Sequence, residues 1–197
     1  MTAAARKIER GDILPPQIYA AERKERRAAM MPVKRARRVE VGPFCTFYFE
    51  NYDTMWLQVH EMLHVEKGGD EQIEDELRAY NPLIPQGADL VATVMFEIDD
   101  PVRRNAVLLK LTGVEETMYF EVGGERVASD PEHDVDRTAP DGKTSSVHFL
   151  HFRFTPAQIA KFRDPSVPVI LGVDHPNYAH MTRLSPETRA MLAKDFA

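Results

Sequence analysis

The chain has 197 residues, 43% of them hydrophobic and 28% charged, and a formal net charge of −6. That supports one domain with a real core and excludes disorder along the whole length. A single cysteine, Cys45, excludes an internal disulfide and any zinc or iron–sulfur site built from several thiolates of one chain. No apolar run is long enough to cross a bilayer, and no apolar stretch follows the charged segment Met1–Gly11. A cytoplasmic protein without membrane anchor or secretory leader is therefore expected.

The charge is uneven. Residues 1–40 hold 11 Lys and Arg against 5 Asp and Glu, while the rest hold 14 against 26. The basic run comprises Arg23, Lys24, Arg26 and Arg27, then Lys34, Arg35, Arg37 and Arg38. Such a run can hold phosphates. No base-reading module or stacking aromatics accompany it, so a basic arm lying on an acidic body is expected rather than nucleic-acid binding.

Asp12 can cap a short turn ahead of Pro15 and Pro16, and residues 18–31 read as a charged helix ended by Pro32. The period then changes to that of a strand. Val39, Val41 and Phe44 to Phe49 form a β-rich run bent at Gly42-Pro43. A helix follows over 54–66, capped from Asn51 to Asp53. A second, over 71–80, has Asp70 as its cap and is stopped by Asn81-Pro82-Leu83-Ile84-Pro85. Residues 90–98 alternate as a strand, and Pro101 opens a helix that ends near Gly113. Residues 117–122 and 125–128 flank Gly123-Gly124 as a hairpin, and 129–143 read as a polar loop. Then come a strand over 145–154, a helix from its cap Thr155 to about Arg163, a buried-looking strand over 167–173, a turn over 174–177, a strand over 178–184, and a helix capped by Ser185.

The pattern implies an α+β fold: a largely antiparallel sheet with helices packed on it, a basic helical arm over 1–38, and one α+β domain over 39–197. No glycine-rich phosphate loop follows any strand, so no nucleotide cofactor is expected.

His60-Glu61-Met62-Leu63-His64 spells H-E-x-x-H, the string in which two imidazoles one helical turn apart bind zinc beside a general-base carboxylate. On a helical wheel Met55, Val59, Met62 and Leu63 form the apolar face, and His60, Glu61 and His64 fall opposite it, on a face expected to be solvated unless another element covers it. Glu66 falls near the centre of the apolar face. It is either paired, protonated or metal-bound there, or free in water at the helix end. His148 and His151, three positions apart in a strand, face opposite sides of the sheet. Asp174-His175-Pro176 closes an apolar strand, where a carboxylate beside an imidazole can fix its tautomer. Cys45 reads as a small hydrophobe, and Ser145 and Ser146 lack a nucleophile elbow.

Several strings together resemble a bacterial family of unknown function, DUF3501. They are Arg37-Arg38-Val39 with Gly42, Phe49-Glu50-Asn51, Glu61-Met62-Leu63 with Glu66, Ala79 to Pro85, Val147-His148-Phe149-Leu150 and Leu171-Gly172-Val173-Asp174-His175-Pro176. The resemblance spans nearly the whole chain and implies no established activity. It implies a redox or peroxide-defence setting, with a rubrerythrin-like or iron–sulfur oxidoreductase protein as partner. The family pattern carries Gln and Arg where this chain has His60 and His64, which sets the H-E-x-x-H string apart from it.

Three functions follow as expectations. The leading one is a metal-binding accessory protein of a redox system, with Glu66, His148 and His175, and Glu61 beside them, as ligands for iron, manganese or zinc. The alternative is a non-catalytic partner subunit of an oxidoreductase, in which the same residues form a buried structural network. The third is a zinc peptidase using His60 and His64.

Overall fold

The computed structural model describes residues 6–132, 139 and 142–197. Strand β1 (Arg38–Val41) and strand β2 (Cys45–Glu50) form a hairpin around Gly42-Pro43, with Val41 opposite Cys45. Gly42 sits at φ 74°, and a Cβ there would lie 2.6 Å from the His180 ring, so the turn needs glycine on both counts. Strand β3 (Asp89–Phe96) pairs with β2 on one side and with β6 (Val147–Arg153) on the other. Strands β4 (Met118–Val122) and β5 (Glu125–Pro131) turn at Gly123-Gly124, and β7 (Val169–His175) and β8 (Tyr178–Arg183) turn at Pro176-Asn177. The order is β1-β2-β3-β6-β5-β4-β7-β8, antiparallel throughout. Several expected boundaries move. Ser129 to Pro131 extend β5 because they find partners in Phe152 to Leu150, and β7 runs on through Asp174 and His175. The rest of the expected loop, His133 included, lies largely outside the described residues.

The sheet curls until its edges meet. The Tyr178 hydroxyl donates to the Val41 carbonyl and the Thr182 hydroxyl to the Glu40 carbonyl, each at 2.7 Å. This blunts both edge strands without further pairing. The main core fills the inside of the curl, with Phe120 in contact with the rings of Phe49, Phe152, Phe154 and Phe162. Gly172 stands opposite Tyr119, whose ring occupies the place of a Cβ.

Three helices cover the outer face. Helix α1 (Pro16–Ala36) continues through Pro32, where the sequence pattern expects a stop. Proline costs a helix one hydrogen bond, but its φ is helical, and the last turn is held by burial of Ala36 and Arg37. Helix α2 (Tyr52–Glu66) starts at an Asn51–Thr54 capping box, and α3 (Asp70–Tyr80) starts from Gly69, with Asp70 inside its first turn. These three helices pack over the outer face of β2, β3 and β6, with Tyr19, Met55, Trp56, Val59, Leu83 and Val91 as a second core. Helices α4 (Pro101–Leu108), α5 (Pro156–Arg163) and α6 (Pro186–Leu192) start at the caps Asp100, Thr155 and Ser185. Among the described residues no helix is long and apolar enough to cross a membrane.

Candidate functional site

The H-E-x-x-H helix is covered, not solvated. Helix α2 lies between the sheet and α1, which buries His60 to 2% exposure. His60 Nδ1 donates to the Trp56 carbonyl at 2.8 Å, and Nε2 accepts the Leu14 N–H at 3.0 Å. Burial holds its pKa below the ordinary value, so the ring is neutral with both nitrogens occupied. Glu61 accepts both arms of the Arg23 guanidinium at 2.8 Å and the Tyr19 hydroxyl at 2.6 Å. That pairing brings its pKa down to about 2. The string joins α1 to α2; it does not form a peptidase centre.

The four expected ligands, Glu61, Glu66, His148 and His175, go to three places. Glu61 is locked in the arginine clamp. Glu66 reaches water at the end of α2, where its carboxylate accepts from Gln72 at 2.7 Å. His148 and His175 point into the curl, at the end where β6 begins and β7 finishes. His148 Nε2 lies 2.9 Å from the Ser145 carbonyl, and Nδ1 lies 3.8 Å from Glu115. His175 Nε2 lies 3.2 Å from the Thr112 carbonyl, and Nδ1 accepts the Asn177 N–H. Asp174 faces the opposite way and pairs with Arg126 at 2.9 Å, so it cannot set the His175 tautomer. Among the described residues no group of three or more His, Cys, Asp or Glu side chains is disposed to hold a metal ion. His151, on the outer face, is flanked instead by Asp89 at 3.7 Å and Glu132 at 3.3 Å, which raise its pKa to about 9.

The basic arm meets acids of the body. Besides the Glu61 clamp, Arg10 pairs with Asp70 and Glu74, and Arg37 with Asp195.

A cleft of about 600 Å³ opens between the end of α1, the start of α2 and the outer face of β2, β3 and β6. Its floor follows the register, with Tyr48 opposite Thr93 and Thr93 opposite Phe149. Met31, Met55, Met95 and Leu83 make its sides mostly apolar. One carboxylate stands in it. Glu50 is 9% exposed, with Oε2 accepting the Thr54 hydroxyl at 2.6 Å and Oε1 the Thr93 hydroxyl at 2.7 Å. Each oxygen keeps further lone-pair capacity. Lys34 and Arg35 line the cleft as well and have no acidic partner among the described residues.

A family model described as "Protein of unknown function (DUF3501)" matches residues 7–196. The chain belongs to this family. A solved structure, described as a novel protein of unknown function from Burkholderia pseudomallei, superposes with a TM-score of 0.90 at 36% identity, covering 97% of this chain and 100% of that one. No curated protein matches the chain. The two chains thus share this curled sheet and its helical cover.

Sequence reasoning misses Glu50, Thr54 and Thr93 as a group. The strand period places Glu50 on the face opposite Phe49, and that face reads no differently from any other outward-facing strand position. Nothing local shows that α1 and α2 roof over that face.

Proposed function

We propose that this member of DUF3501 is a small-molecule-binding protein whose ligand lies in the Glu50 cleft. The reading rests on one observation: a nearly buried carboxylate, oriented by two threonine hydroxyls, in a mostly apolar cleft of ligand size. Burial of an acid is costly, and hydroxyl donors offset part of the cost. The remaining lone pairs favour a donor edge such as an amide or amino N–H. The Tyr48, Phe149 and methionine surfaces favour a flat apolar body, and Lys34 and Arg35 favour an acidic group on the same ligand.

The redox-accessory reading enters only through such a ligand. The residues expected to hold iron, manganese or zinc are separated and mostly committed to local partners. A role as partner subunit to an oxidoreductase would leave the cleft as the place where a ligand is carried.

Thermal-shift measurements with carboxypterin and with tryptophan test the reading. Both carry a donor group and an acid. A rise in Tm for either, lost in Glu50→Gln and absent with benzoate, which lacks the donor, supports it. No rise with any donor-bearing acid contradicts it.

A further inference from the structure

A second cavity, of about 580 Å³, lies at the other end of the α1–α2 contact, among Leu14, Tyr19, Leu63 and Ile73. It is apolar and adjoins a smaller space of about 330 Å³ lined by Ala20, Arg23, Lys24, Arg27 and His64. Ala20 and His64 line both, so the two meet along one helical turn of α1 and α2. The smaller space is cationic. Glu61 neutralises Arg23 and lies 3.8 Å from Arg27, leaving Lys24 without an acidic partner among the described residues. Lys67 lines the larger cavity and is also without one, while Asp70, the acid there, is taken by Arg10. The His64 ring makes no hydrogen bond among the described residues and meets the Tyr19 ring edge-on at 6.0 Å. Lys67 is the left-handed C-cap of α2, at φ 55° with its N–H donating to the Leu63 carbonyl, which sets it at the rim of the larger cavity.

An apolar chamber with a cationic mouth, in a chain of net charge −6, is complementary to one kind of molecule. We infer that this is a second binding site, for a single-chain amphipathic anion: the alkyl chain lies between Leu14, Leu63 and Ile73, and the carboxylate or phosphate head lies between Lys24, Arg27 and His64. His60 forms one wall of the chamber, and His64 stands where chain and head join. The H-E-x-x-H string thereby takes a role that needs no metal. The site is separate from the Glu50 cleft and does not depend on it.

Calorimetric titration of the full-length protein with decanoate and with decyl phosphate tests the inference, with decanol, decyltrimethylammonium and inorganic phosphate as controls. Both amphipathic anions bind, and the cation and the bare phosphate do not. Lys24→Glu weakens anion binding by at least about tenfold. Ala20→Trp, at an exposed helical position, fills the junction and abolishes binding, while circular dichroism shows the fold unchanged. Equal binding of decanol or the cation, or wild-type affinity in Ala20→Trp, overturns the inference. Sedimentation with anionic phospholipid vesicles separates a free amphiphile from a membrane surface. Association with vesicles in the absence of decanoate binding also overturns it.

Discussion

Arg37 and Asp195, 158 positions apart, meet as a buried ion pair 1% and 7% exposed. The same guanidinium donates to the carbonyls of Phe49 and Glu50, both at 2.8 Å. It thus ties the C-terminal segment to the strand that carries the cleft acid. Removing one partner leaves a buried charge uncompensated, so Asp195→Ala is expected to cost about 3–5 kcal/mol in urea unfolding. The double change Arg37→Met with Asp195→Leu recovers a large part of that loss. Recovery of stability without recovery of ligand binding in the cleft would separate the scaffold role from the positioning role.

The Glu61 clamp predicts acid sensitivity. Its folded pKa, about 2, lies below the ordinary value of 4.5. The stabilisation is therefore full above 4.5 and is lost as pH falls toward 2. The partly exposed Arg23 discounts the effect to on the order of 2 kcal/mol. Unfolding free energies of Glu61→Gln measured across this range show a flatter acid limb than those of the wild type.

His151 predicts the opposite slope. Asp89 and Glu132 raise its pKa from 6.5 to about 9. The stabilisation is present below 6.5 and disappears as pH rises through 9, on the order of 2–3 kcal/mol in all. His151→Gln abolishes this alkaline loss. An imidazole proton resonance titrating near 9 in the wild type checks the shift directly.

His60 is predicted to be structural. His60→Leu removes the acceptor of the Leu14 N–H, which costs about 1–3 kcal/mol in denaturant unfolding. Zinc added to the wild type does not raise its Tm, because both ring nitrogens are already used.

The sheet was legible because its cues are local. Alternation over 90–98, Gly42-Pro43 and Gly123-Gly124 mark strands and hairpins, and Asn51, Thr155 and Ser185 mark helix starts. The opposite orientation of His148 and His151 follows from the strand period alone. What one helix does to another is not local. The helical wheel of α2 assumes one wet face, yet α1 covers that face, so His60 is buried where water was expected. Glu66 takes the second of its two expected places, because a helix end lets a carboxylate escape whatever its angle on the wheel. The Glu50 cleft needs three strands and two helices at once, and no segment of the sequence carries that.

On the proposed reading, Glu50 anchors a ligand in the cleft roofed by α1 and α2. Methionine methyl resonances report on it directly, because Met31, Met55 and Met95 line the cleft. Titration with carboxypterin is predicted to shift those three methyls and leave that of the exposed Met181 in place, and Glu50→Gln is predicted to abolish the shifts. Unmoved cleft methyls at saturating probe, or identical shifts in Glu50→Gln, would contradict the claim.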